Sequence, residues 1–237
     1  MTEPTATSAP TAPGAQAPPP QERVALAMIR TLAGVAIVSG LLIVVVFQLT
    51  EPTIRANRAR ALMEAVYQVV PGAETVRTFA LGADGVMAPV ESEGGGDRYY
   101  AGFNKDGALT GVAIAAQGQG FQDLIKVLYG YDPARETIVG MKVLDSKETP
   151  GLGDKIGKDP DFLADVSDLD VRLVEGGEGL LHPIEVRKGG KRAERWQIDA
   201  ITGATISSKA VGKLLGESAA RRLPELRRNL AVIRKEP

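Results

Sequence analysis

The 237-residue sequence contains no cysteine and a single histidine, His182, and only 5% of its residues are aromatic. The first absence removes disulfide scaffolds, thiolate metal sites, iron–sulfur ligation and cysteine nucleophiles. One imidazole cannot build a histidine metal cluster, and a Ser-His-Asp site would have to run through His182 itself. An excess of charge of one sign is missing too. Lys and Arg number 28 against 29 Asp and Glu, and the basic residues are scattered, so the chain has no electrostatic footprint for nucleic acid. Any redox chemistry must therefore come from a borrowed organic cofactor.

Within this balanced composition the N-terminal fifth stands apart. Residues 1–20 hold six Pro, five Ala and one charged residue, Glu3, and such a segment buries too little surface to offset the entropy of ordering it. A disordered tail over 1–23 is expected. From Thr31 to Thr50 no residue is charged, and twenty helical residues at about 1.5 Å each span about 30 Å, the hydrocarbon thickness of a bilayer. Cleaved signal peptides carry shorter apolar cores, roughly 7 to 15 residues, and end in a small-x-small site that QLTEPTIRANRAR does not offer. A permanent anchor over 24–50 follows. Arg23 and Arg30 precede it while Arg55, Arg58 and Arg60 follow, so charge bias leaves the topology open.

Glu51-Pro52 ends the apolar run. Ile54, Ala61, Leu62, Ala65, Val66 and Val69 then recur at helical spacing up to Pro71-Gly72, which predicts an amphipathic juxtamembrane helix over 51–72. Residues 73–237 form one soluble domain. In it, 98–104 and 108–116 flank Lys105-Asp106-Gly107, and 124–131 and 137–145 flank Asp132 to Glu136, two successive hairpin signals. Residues 183–188 and 194–199, on either side of Gly189-Gly190, look like another pair. Val211, Leu214, Leu215 and Leu223 fall on one face of a helix over 206–223. The fold class is α+β, an antiparallel sheet with flanking helices behind one N-terminal transmembrane helix.

The most informative stretch is Asp199-Ala200-Ile201-Thr202-Gly203-Ala204-Thr205-Ile206-Ser207-Ser208, where the last strand meets that helix. Gly203 permits a sharp reversal, and Ser207 or Ser208 can cap the helix, whose free N–H groups and positive dipole end face the turn. Such a turn can seat a phosphate beside the Thr205 hydroxyl. It can equally be a capped strand-to-helix turn that needs no ligand. A nucleotide phosphate loop is excluded, because Ser208 replaces the required Gly and Ala210 the magnesium-binding hydroxyl.

This segment resembles the flavinylation motif of FMN-binding domains in the Rnf and Na+-translocating NADH:quinone oxidoreductase complexes. The anchor, the Thr53–Arg58 stretch after it, GQGFQDLI at 118–125 and Glu148-Thr149-Pro150-Gly151-Leu152-Gly153 are similar, in the same order, to RnfG, the G component of Rnf complexes. The resemblance covers roughly residues 24–220. It implies FMN joined through its phosphate to Thr205, with Thr202, Gly203 and Ala204 shaping the turn. It also implies a separate flavin transferase that installs the group from FAD, so the chain is an acceptor and electron carrier rather than a stand-alone catalyst. Other membrane subunits of the Rnf complex would be its partners. The implied location is the bacterial inner membrane with the soluble domain in the periplasm. NqrC, the corresponding component of the sodium-pumping quinone reductase, and a cofactor-free tethered module are the rival readings.

In the second loop, Pro150 stiffens the backbone and Gly151 and Gly153 allow close approach of main-chain donors. An ordinary Gly/Pro turn has the same composition. The resemblance makes it a flavin-contacting loop, with Glu148 and Thr149 as polar contacts and Leu152 against the ring. Trp196 reads as core, His182 as a surface or structural residue, and the charged residues of 154–172 as a solvated surface.

Overall fold

A computed structural model describes residues 21–90, 97–177 and 179–235; the expected N-terminal tail, apart from its last three residues, lies outside them. The chain divides after Arg55 into an N-terminal unit and a domain that begins at Ala56. Helix α1 (Gln21–Val69) runs through both without a break. Its apolar stretch, Thr31 to Thr50, carries no charged residue and is exposed along its whole length. Leu32, Ile37 and Leu49 lie 70% or more exposed, as lipid-facing side chains would in a chain standing free of its bilayer.

The expected juxtamembrane stretch is helical as far as Val69, and Pro52 lies inside α1. Proline removes one N–H and crowds the carbonyl four residues back, which bends a helix or stops it. Here the residues after Pro52 keep an apolar periodicity, and the last turns have a docking site to hold them helical. Ala65, Val66, Val69 and Val70 pack on Tyr100, Ala113 and Leu128 of the sheet. The approach is close: a Cβ on Gly130 would collide with the Val69 carbonyl.

Among the described residues the sheet has seven strands, β1 (Thr75–Leu81), β2 (Met87–Pro89), β3 (Arg98–Phe103), β4 (Leu109–Gln119), β5 (Leu124–Asp132), β6 (Thr137–Asp145) and β7 (Leu169–Asp170). Their order is β2-β1-β3-β4-β5-β6-β7, antiparallel throughout. Both hairpins expected from the turn residues are present. One face carries the end of α1. On the other, Tyr99, Phe103, Ile114, Ile125, Val127 and Tyr129 join helices α2 (Pro160–Val166) and α3 (Thr205–Arg234) in the main core. Alternating side chains along β3 and β5 are therefore apolar in both directions.

Two expectations are revised. Strands β8 (Glu185–Arg187) and β9 (Gln197–Asp199) pair in parallel, not as a hairpin. The segment between them is held away from a tight reversal: Arg192 Nη1 donates to the Asp165 carbonyl at 3.0 Å, and its backbone N–H to Asp199 Oδ2 at 2.9 Å. Helix α3 also continues ten residues beyond Pro224. Proline in a helix costs about 3 kcal/mol, whereas burying one Leu or Ile side chain contributes about 1.5–3 kcal/mol. Leu226 and Ile233 are both fully buried, so their packing outweighs the defect. Asn229 adds a polar pin, accepting the Met87 N–H at 3.0 Å and donating to the Gly85 carbonyl at 3.1 Å.

Gly130→Ala tests the α1 dock. It should destabilise the domain by about 3 kcal/mol, the upper range for overpacking, read as a lowered midpoint of thermal unfolding by circular dichroism in detergent. Gly85→Ala, where an added Cβ meets nothing, is a control for packing only, since its φ of +78° brings backbone strain of its own.

Candidate functional site

Three segments from distant parts of the sequence meet at the start of α3: the β4–β5 turn, the loop after β6, and the turn after β9. The last contains Thr202, Gly203 and Ala204, and α3 begins at Thr205. Gly203 has φ +84°, a left-handed conformation that a side chain resists, so only glycine makes this reversal at low cost. Thr202 and Gly203 are exposed, Thr205 is half-buried and Ala204 is buried.

The expected serine cap is absent. Ala204 is the N-cap, and no side chain among the described residues caps the helix. The first bond of the helical ladder runs from the Ser208 N–H to the Ala204 carbonyl at 2.9 Å. Thr205, Ile206 and Ser207 therefore present backbone N–H groups with no intrahelical acceptor. Ser208 is fully buried; its hydroxyl donates to the Ala204 carbonyl at 2.9 Å and accepts the Ile201 N–H at 3.1 Å, closing the turn on itself. Ser207 is also buried and turns away from the helix end to donate to Glu148 Oε2 at 2.5 Å.

Glu148 accepts two more bonds, from the Phe121 N–H at 2.8 Å and the Gln122 N–H at 3.1 Å, both on Oε1. It is 5% exposed, and these three bonds tie its carboxylate to the protein. The space around it is tight: a Cβ on Gly153 would lie 2.6 Å from Oε2 and 2.9 Å from Ser207 Oγ. Thr149 accepts from Gln122 Nε2 at 2.9 Å, and its carbonyl takes the Leu152 and Asp154 N–H groups. Gly151 is exposed with φ +77°. Leu152 is 48% exposed, and its Cδ2 would stand 3.4 Å from a Cβ on Gly203, which brings this loop against the turn.

Sequence reasoning missed two exposed apolar residues in these segments, Phe121 at 60% and Ile206 at 58%. Phe121 in a Gly/Gln/Asp turn was the available signal, since an aromatic there has no core to enter. The structure does not bring Asp199 to the helix end. Its Oδ2 holds the Arg192 N–H and its own N–H bonds Asp165 Oδ2 at 2.9 Å. Trp196 is half-buried rather than core, and stacks on His182 with ring centroids 4.0 Å apart.

The charged residues of 154–172 are not simply solvated either. Asp165 pairs with Arg192 at 3.0 Å, and Asp168 with Arg192 at 3.2 Å and Arg195 at 2.5 Å. Partial burial pushes the Asp168 carboxyl up, but the Arg195 hydrogen bond and the charges of Arg195 and Arg192 outweigh it and hold it below its ordinary value. Among the described residues no group of three or more His, Cys, Asp or Glu is placed to hold a metal.

Residues 120–219 match the FMN-binding domain family, and residues 30–69 match the RnfG N-terminal region. The G component of the ion-translocating oxidoreductase complex of Methanosarcina acetivorans is 30% identical over 187 residues, 78% of this chain and 87% of that protein. Its counterpart in Cereibacter sphaeroides is 33% identical over 184 residues, 74% of each chain. The chain belongs to the RnfG family of ion-translocating oxidoreductase components. It is an FMN-binding, membrane-anchored member of that family. The fold is shared with Shewanella oneidensis NqrC, at a TM-score of 0.58 and 17% identity over 76% of this chain and 98% of that one. The C component of the Na+-translocating NADH-quinone reductase from Parabacteroides distasonis gives the same TM-score at 20% identity, over 74% of this chain and 96% of that one.

Two outcomes are expected for this RnfG-family protein. Gly203→Val should cost about 1–3 kcal/mol through its positive φ and reduce flavin content, measured by absorbance of the purified protein. Asp168→Asn should lower stability at pH 7. A carboxyl held low when folded stabilises above its unfolded pKa and loses that contribution as pH falls through its folded value. The difference between variant and wild-type melting midpoints should therefore vanish in strong acid.

Proposed function

We propose that this chain is a covalent flavoprotein that relays electrons within an Rnf-type ion-translocating complex, with FMN joined through its phosphate to Thr205. The observation that carries this reading is the uncapped start of α3. A 30-residue helix directs its positive dipole end and three backbone donors at one point, and among the described residues no side chain caps them. A phosphodiester on the Thr205 oxygen would place one negative charge there. Lys209, one turn further along α3, is exposed and has no ion pair among the described residues, so it supplies a second favourable charge.

The Thr205 hydroxyl has no hydrogen-bond partner among the described residues, and no His is nearby in sequence to activate it. This suits an acceptor acted on by a separate flavin transferase. The reaction joins the Thr205 oxygen to the flavin phosphate of FAD, releases AMP and discharges the hydroxyl proton. Once attached, the flavin supplies the electron chemistry. The chain's own residues fix the anchoring oxygen, offer donors to the phosphate and expose Leu152, Phe121 and Ile206 as apolar surface for an aromatic ring.

Covalency has a physical rationale in a compartment poor in free flavin. A reversible site empties by dilution, whereas a tether fixes the local concentration. That rationale favours a periplasmic domain on a single-pass inner-membrane anchor, and other membrane subunits of the complex as electron partners. Thr202, Gly203 and Ala204 shape the turn in this reading, while Asp199 contributes through its bonds to Arg192 and Asp165.

Thr205→Val tests the linkage. Co-expressed with a flavin transferase, the wild-type chain should run as a fluorescent band on a denaturing gel. The variant should fold normally and give a dark one. A fluorescent Thr205→Val band would assign the bond elsewhere.

A further inference from the structure

The structure assigns to Glu148 the role of positioning residue for the flavin-accepting turn. Its single carboxylate ties together the β4–β5 turn, the loop 148–153 and the first turn of α3. This inference rests on Thr205 as the accepting residue and concerns what holds that residue in place.

Among the described residues three donors bond the carboxylate: the Phe121 and Gln122 N–H groups on Oε1 and the Ser207 hydroxyl on Oε2. The sequence separations are 27, 26 and 59 residues, so no local geometry brings these groups together. Ser207 lies two residues beyond Thr205, inside the turn whose N–H groups are uncapped. Such helix ends fray unless a tertiary contact holds them. Ser208 closes the turn from below through Ala204 and Ile201, and the Glu148–Ser207 bond holds it from the side. The same carboxylate fixes the backbone of Phe121, and the loop it begins places Leu152 against Gly203. The anchoring oxygen and the exposed apolar residues beside it are thus held by one group.

The packing is built for a carboxylate-sized group. Gly120 and Gly153 both lie so close to Glu148 that a Cβ at either would collide with it. A transferase must meet the Thr205 oxygen in one orientation, and small misplacements of a reacting atom cost large factors in rate.

The test uses the full-length apo chain in detergent, purified flavin transferase, FAD and magnesium, with the rate of flavin attachment read by gel fluorescence well below the unfolding temperature. Glu148→Ala and Ser207→Ala should accept flavin about tenfold more slowly or worse. Glu148→Gln should stay within about threefold of wild type, because its amide oxygen accepts both N–H groups and its NH2 can donate to Ser207. Wild-type rates in the alanine variants would overturn the assignment, and so would a glutamine variant as slow as alanine. If Glu148→Ala does not fold, Ser207→Ala decides, since it removes only the link to α3. Thr205→Val run alongside separates the two claims: flavin uptake there sinks the linkage, whereas a blank with unimpaired alanine variants sinks the clamp alone.

Discussion

The start of α3 sets the terms for the rest of the domain. Helices end in unpaired backbone groups that need an answer, and at this end the chain supplies an alanine where a serine, threonine or aspartate would ordinarily sit. The nearby serines are committed elsewhere, Ser208 to the turn and Ser207 to Glu148. What remains is a short row of N–H donors beside a threonine hydroxyl, at the end of a helix anchored along its length. Leu214, Leu215, Leu223 and Leu226 bury that helix against the sheet. Buried Arg222 locks it further, bonding the Tyr99 hydroxyl at 2.8 Å, the Arg98 carbonyl at 3.0 Å and Asp97 at 2.7 Å. Burial above all holds the Tyr99 hydroxyl far above its ordinary pKa, so it stays protonated and donates to Glu225 at 2.6 Å.

A rigid helix behind a sharply turned loop is a sound way to hold a cofactor that cannot leave. The proposed covalent attachment would remove the need for a deep pocket, and the surface around Thr205 is open: Leu152, Phe121 and Ile206 are 48–60% exposed. An electron carrier benefits from such openness, because its redox group must come close to others. Among the described residues, a cleft of about 510 Å³ lies further along α3, between Leu214, Ser218 and the β4–β5 strands, rather than around Thr205.

Much of this was legible in the sequence where the determinants were local. Asp106-Gly107 and Asp132-Pro133 specify their hairpins through turn chemistry, and the charge-free run before Thr50 specifies the apolar helix. Gly203 was rightly read as the reversal before α3. The failures were non-local. The direction of β8–β9 pairing depends on Arg192 and Asp199 bonding across to Asp165, which no turn motif records. Pro52 and Pro224 look like stops, and only the burial of the residues beyond each shows why helix persists. Glu148 stands out in the sequence as a polar residue in a Gly/Pro loop, but its partners, up to 59 residues away, leave no local signal.

The central claim is that the Thr205 oxygen carries FMN as a phosphodiester. The most direct measurement is the mass of the peptide spanning residues 199–208, taken from protein expressed with its own flavin transferase. The account predicts a peptide heavier by FMN less one water, with fragment ions locating the addition on Thr205. An unmodified peptide, or an addition on Thr202, Ser207 or Ser208, would contradict it.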